Sequence, residues 1–154
     1  MGLEEARRYL DSKGYGDRIR TFDVSSATVE LAALAVGTEP ERIAKSLTFM
    51  VEDKPVMILC AGDAKINNPK YKGVFHKKAK MLTREEVNEL VGHDVGGVCP
   101  FGRKDGVDVY LDQSLKRFDK VYPACGNASS AVELTIEELE ELSASKGWVD
   151  VCKY

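Results

Sequence analysis

The chain has 154 residues, 44% of them hydrophobic and 31% charged, with a formal net charge of −3. That length suits one domain with a real core, and no apolar run is long enough to cross a bilayer, so no membrane partner is expected. A net negative surface excludes clamping of nucleic acid by overall charge; it leaves no role for DNA and allows a nucleic-acid contact only at a local basic patch.

The amino-terminal MGLEEARRYL is charged and lacks a signal-peptide core, and Ala6 stands where a myristoylation signal needs Ser or Thr. Leu3, Ala6, Arg7 and Leu10 recur at helical spacing and Gly14 stops the run, which predicts a first helix. RIRTFDV reads as a short strand. SATVELAALAVG reads as a second helix, with Ser26 or Thr28 as its N-cap and Gly37 just past its end.

RIAKSLTFMVEDKPVMILCAG is the clearest hairpin, two apolar runs joined by the turn Glu52-Asp53-Lys54-Pro55. NNPKYKGVF predicts a short helix with Pro69 in its first turn, AKML a short strand, and TREEVNELVG a helix opened by a capping box from Thr83 to Glu86. After a glycine-rich loop, Val95 to Gly102, come the strand VDVYLD, a helical turn at QSLKRF, and the strands KVYPACG and AVEL. TIEELEELSA is a final helix capped by Thr135 with Glu138, and Trp148 to Cys152 closes as a strand. Helices and hairpins intermingle, so the pattern predicts one α+β domain over residues 1–154 around a mixed sheet.

Four cysteines, Cys60, Cys99, Cys125 and Cys152, are widely spaced without a CxxC pair, and only His76 and His93 could join them. Reduced thiols in a cytoplasmic protein are expected, with no metal and no cofactor. Cys99 and His93 allow a nucleophilic dyad, although a buried inert cysteine is the commoner case. Period-two alternation puts Lys45 on one strand face with Ile43, Leu47, Phe49 and Val51. An ammonium there needs an anion, carbonyl oxygens or a route to water; it either snorkels from the strand end or serves a site. Lys65 to Lys80 holds six lysines and no acid, a solvated face or a phosphate-contacting patch in which Lys77 and Lys78 stand beside His76.

The order RIAKSLTF, HDVGGVCPFG, VYLDQSLKRFDKVYPACGNASSAVEL resembles the YbaK family, free-standing relatives of the editing domain of bacterial prolyl-tRNA synthetases. The resemblance implies a largely antiparallel, partly barrel-like mixed sheet flanked by helices. It also implies a deacylase acting on the acceptor end of a mischarged tRNA, with an aminoacyl-tRNA synthetase as a possible partner. In that family an early-strand lysine is central to activity, and it matches Lys45. The Gly-Gly-x-x-Pro-x-Gly loop matches Gly96, Gly97, Pro100 and Gly102, so Gly96, Gly97, Val98, Cys99, Pro100, Phe101 and Gly102 are expected around the substrate, with Cys99 a wall residue. Phe22 on the first strand and the late loop Gly126, Asn127, Ala128 and Ser129 are expected there too. Phe22 stands where some members carry tyrosine, Ser129 where a second glycine is common, and Ala131 where an aspartate is sometimes found. These departures bear on amino-acid specificity. A non-catalytic aminoacyl- or nucleotide-binding module and a hydrolase using Cys99 are the alternative functions.

Overall fold

The computed structural model describes residues 2–154; Met1 lies outside the description. In chain order the first elements are α1 (Gly2–Ser12), β1 (Ile19–Thr21), α2 (Val29–Val36), β2 (Ile43–Val51), β3 (Lys54–Ala61), β4 (Lys65–Ile66) and α3 (Asn68–Phe75). Then follow α4 (Arg84–Glu86), β5 (Asp108–Asp112), β6 (Lys120–Pro123), β7 (Ser130–Val132), β8 (Leu134–Thr135), α5 (Ile136–Leu142), β9 (Trp148–Val149) and β10 (Cys152–Lys153).

The β2–β3 hairpin is the axis of a six-stranded sheet, ordered β8-β6-β2-β3-β5-β9, which curls into a half-barrel. β2–β3 and β6–β8 run antiparallel, while β2–β6, β3–β5 and β5–β9 run parallel. Two small antiparallel pairs, β1–β7 and β4–β10, lie outside that sheet. From Val56 to Ala61 every residue of β3 is buried, as a strand covered on both faces requires. Ala6 and Leu10 of α1, Val87, Val91, and Leu139 and Leu142 of α5 belong to the same buried cluster as Met57, Ile58 and Leu59. Around α3, the Tyr71 ring packs at a tilt 5.1 Å from Phe49, and Phe75 meets Tyr110 edge-on at 5.4 Å.

The caps form where the sequence places them. Thr28 Oγ1 accepts from the Leu31 amide and Gly37 closes α2 at φ 87°. Both capping boxes close reciprocally, Thr83 with Glu86 and Thr135 with Glu138. Pro69 occupies the first turn of α3.

Other expectations need correction, each because tertiary pairing redirects the chain. The hairpin turn is tighter than Glu52–Pro55, since β3 already begins at Lys54 and Glu52 takes φ 57°. Residues 79–82 form no independent strand; they rest on the end of β2 through Met50 N to Lys80 O at 2.8 Å and Leu82 N to Thr48 O at 3.1 Å. The helix expected over 83–92 widens after Glu86 into a π-helical turn, closed by the Gly92 amide on Val87 O. AVEL divides between two sheets, as β7 pairs with β1 and β8 with β6. The closing strand divides likewise, with the buried Asp112 carboxylate accepting the Val151 amide at 2.9 Å between its halves.

Three backbones meet without room for a side chain. A Cβ on Gly97 would lie 2.2 Å from Asn127 N, and one on Gly126 would lie 2.3 Å from the carbonyl of Gly2. The Gly126 amide donates to Gly97 O at 2.7 Å across the same contact. Main chain cannot yield as a flexible side chain can, so Gly97→Ala should lower the unfolding free energy by about 3 kcal/mol. Gly73, with open space around its missing Cβ inside α3, is the control. Gly73→Ala should raise stability by up to about 1 kcal/mol, both changes being read from urea unfolding curves.

Candidate functional site

One cavity of about 310 Å³ opens where the start of β2, the glycine loop, the entry to α2 and residues 81–87 converge. Its volume lies at the lower end of the range for small-molecule pockets. Lys45, Gly96 and Val98 line it. Alternation alone separates Ile43 and Lys45 from Ala44, Ser46 and Thr48, yet the cavity touches residues of both sets.

Lys45 is half-buried, and its ammonium donates to the Gly62 carbonyl at 3.4 Å. That carbonyl is held firmly. A Cβ on Gly62 would strike Pro40 O and Val29, and the preceding Ala61 amide donates to Ser114 Oγ at 3.0 Å. The next residue, Asp63, takes both guanidinium nitrogens of Arg117 at 2.6 and 3.0 Å. This hydrogen bonding from Arg117, with a smaller contribution from the Lys45 charge, pulls the Asp63 carboxyl below its usual range. The ammonium thus has one carbonyl partner and the cavity beside it.

The glycine loop splits by role. Gly96 and Val98 face the cavity, and among the described residues neither amide is bonded to a protein acceptor. Gly97 turns into the backbone contact with Asn127, and Gly102 lies against Glu5 and Ala6 of α1. Cys99, Pro100 and Phe101 are buried outside the cavity lining. Cys99, expected on the wall, therefore sits behind it.

The late loop stands one layer back. Ser129 N bonds Asn127 Oδ1, Ser130 Oγ bonds Asn127 O, and Ala128 O accepts the Ser26 amide at 2.6 Å. None of Gly126, Asn127, Ala128 and Ser129 lines the cavity, while their neighbours Ala124, Ser130 and Ala131 do. Phe22, half-buried, donates its amide to Ser129 O and also lies outside. Lys77 and Lys78 are exposed at the opposite end of the hairpin, where Lys77 faces Glu52 at 3.8 Å. Six strand residues, Ser46 to Val51, lie between Lys45 and Glu52, about 20 Å at strand rise.

Cys99 and His93 do come together, Sγ to Nε2 at 3.6 Å, but both are fully buried. Burial pushes the Cys99 thiol up to about 12, and the His93 Nε2 is engaged by Phe101 O at 2.8 Å. A thiol so placed is neither ionised nor reachable, which removes it as a nucleophile. Among the described residues no three His, Cys, Asp or Glu side chains cluster as a metal site would need, and no helix is long and apolar enough to cross a membrane.

Ser26, Ser46, Thr48, Arg84 and Tyr122 line the cavity without having been singled out as site residues. The available signal was two hydroxyls, Ser46 and Thr48, alternating in a hairpin strand whose remaining residues, Lys45 apart, are apolar. Arg84 carried no such signal, because only the bridge of residues 80–82 to β2 brings it to the mouth.

Comparison with known proteins bears on the family and the fold. The aminoacyl-tRNA editing domain family matches residues 23–142. The "Uncharacterized protein YwhH" of Bacillus subtilis is 51% identical over 154 residues, covering 99% of this chain and 98% of that protein. The proline–tRNA ligase of the same organism is 33% identical over 101 residues, 65% of this chain but only 18% of the ligase. A crystal structure described as a candidate trans-editing enzyme for prolyl tRNA synthetase superposes with a TM-score of 0.89 at 28% identity, over 99% of this chain and 98% of that one.

His93 gives the site's frame a pH dependence. Burial outweighs the Phe101 carbonyl and depresses its folded-state pKa below the ordinary value, so protonation favours the unfolded chain. Its contribution to stability is complete above about pH 6.5 and is lost as the pH falls from there towards the folded-state value. Urea midpoints measured from pH 7.5 to 5 should decline over that window, and His93→Gln should flatten the decline.

Proposed function

The chain belongs to the aminoacyl-tRNA editing domain family, and from that premise we propose that it is a trans-acting cytoplasmic deacylase that removes a wrong amino acid from tRNA charged by a prolyl-type synthetase. The observation that carries the reading is the meeting of Lys45 with the unbonded main chain of Gly96 and Val98 in one cavity.

The bond to be cleaved is an activated ester, so the demands on the protein are orientation, a water and stabilisation of an oxyanion. Water adds to the ester carbonyl carbon and negative charge moves to the carbonyl oxygen. The tetrahedral species then expels the ribose oxygen, which takes up the proton released by the water. A free amino acid and an uncharged tRNA result. Lys45 offers a point charge to the ester carbonyl or the terminal phosphate, and the Gly96 and Val98 amides offer neutral donors. The neighbouring ribose hydroxyl of the substrate can position the water. For the rest of the tRNA, Arg84 at the mouth has no carboxylate partner among the described residues, and Lys77 and Lys78 extend the basic path.

Incubating the purified protein with alanyl-, cysteinyl-, seryl- and threonyl-tRNA tests this directly. At least one should be hydrolysed, and Lys45→Ala should fold normally while lowering kcat/KM by at least about tenfold, or roughly 1.4 kcal/mol of transition-state stabilisation. A folded Lys45→Ala protein with undiminished turnover would remove Lys45 from the mechanism, and binding without any turnover would leave a ligand-binding module.

The basic path has its own test. Converting Lys77 and Lys78 together to Glu should raise KM for aminoacyl-tRNA and flatten its salt dependence, since fewer counterions are released. Hydrolysis of an aminoacyl-adenosine ester without the acceptor stem should change little. Equal losses on both substrates would assign the two lysines to the fold instead.

A further inference from the structure

The end of β3 is gripped on both sides of Gly62 by the helical turn Gln113–Arg117. Before it, the Ala61 amide donates to Ser114 Oγ; after it, Asp63 takes the Arg117 guanidinium in a two-pronged contact. The guanidinium has supports of its own. Its Nε donates to Ser114 O at 2.9 Å, and it lies 4.8 Å from the Phe118 ring and 4.1 Å from the Tyr154 ring. A planar fork held from several sides fits a carboxylate and fixes its orientation.

The Arg117 and Asp63 side chains are 32% and 34% exposed, where an ion pair contributes little to stability. Its consequence for the site is larger. Lys45 Nζ donates to the carbonyl of Gly62, the residue before Asp63, at 3.4 Å. Covalent geometry sets Asp63 Cα about 2.8 Å from that oxygen, which leaves the ammonium no more than roughly 6 Å from Cα. A carboxylate crosses such a gap by changing rotamer. Hydrogen bonding from Arg117 depresses the Asp63 carboxyl most, and the Lys45 charge adds to it, so Asp63 stands within the field of two cations and is turned to one of them. Without Arg117 the carboxylate would be left beside an ammonium that makes no ion pair among the described residues. Opposite charges so close, one of them half-buried, attract strongly.

We propose that Arg117 is a positioning residue for the reaction: by engaging Asp63 it prevents a Lys45–Asp63 ion pair and keeps the ammonium open to the cavity. This rests on Lys45 acting in the hydrolysis.

The experiment measures kcat/KM for Lys45→Ala, Arg117→Ala, Asp63→Asn and the double variant Arg117→Ala with Asp63→Asn. The substrate is whichever of alanyl-, cysteinyl-, seryl- and threonyl-tRNA the wild type hydrolyses fastest. Arg117→Ala should lower kcat/KM by at least about tenfold, Asp63→Asn should stay within about twofold of the wild type, and the double variant should recover most of the loss. A purely structural brace gives the opposite pattern, in which losing either partner does equal harm and the second substitution restores nothing. That pattern overturns the proposal, as does undiminished turnover by Arg117→Ala. If Lys45→Ala turns over normally, or no tRNA is hydrolysed, it is the reading of Lys45 that fails. A crystal structure of Arg117→Ala then decides what Arg117 does: Asp63 within about 4 Å of Lys45 Nζ supports the guarding role, and Asp63 turned to solvent refutes it. Arg117→Met, which keeps the stem against the two rings, replaces Arg117→Ala should that protein not fold. Failure of both to fold would assign Arg117 to the fold and overturn the proposal.

Discussion

Everything around the cavity depends on main chains packed at a distance that only glycine permits. Gly97 lies against Asn127, Gly126 against Gly2, and the Gly126 amide closes on Gly97 O. This contact joins the glycine loop, the late loop and the first helix into one rigid layer. Gly96 and Val98 are held at the cavity from one side of it. From the other, Ala128 O accepts the amide of Ser26, a residue of the cavity lining. A loop built this way is positioned by steric exclusion over several backbones, a stronger restraint than the few hydrogen bonds it contains.

The electrostatics follow from that layer and from the hairpin beside it. The cavity is lined by cations and hydroxyl-bearing residues but no carboxylate, and Asp63, which follows the carbonyl that holds Lys45, is engaged by Arg117. Lys45 is left with a single carbonyl, on a segment clamped by Pro40, Val29 and Ser114. A charge partly withdrawn from water and incompletely partnered interacts strongly with whatever enters beside it. The neighbouring cysteine follows the opposite logic. Cys99 and His93 are close enough to suggest chemistry, but full burial keeps the thiol protonated and the imidazole neutral, so the pair serves packing.

Much of this was legible in the sequence. Local rules located the caps of Thr83 and Thr135, narrowed that of α2 to Ser26 or Thr28, and located the hairpin and the helix carrying Pro69, because each depends on residues within a few positions of one another. The resemblance carried by the Lys45 strand and the Gly-Gly-x-x-Pro-x-Gly loop pointed to the family that the comparisons bear out. What local rules could not register is which of several adjacent strands a short apolar segment joins. Hence AVEL and the closing Trp148–Cys152 segment read as single strands, although each divides between two sheets.

The sequence by itself determined the α+β class, most of the element types and the candidate stretch from Val95 to Gly102, since composition, periodicity and capping are properties of neighbouring residues. Only the tertiary structure decided which glycines of that stretch face a ligand and which face another backbone. It also decided that Ser26, in the loop before α2, and Ser46, on β2, line one cavity although twenty residues apart, while Cys99 is sealed behind it. The physical reason is that burial and hydrogen-bond satisfaction are set by the chain segments packed on both sides of a residue, and those segments are remote in sequence.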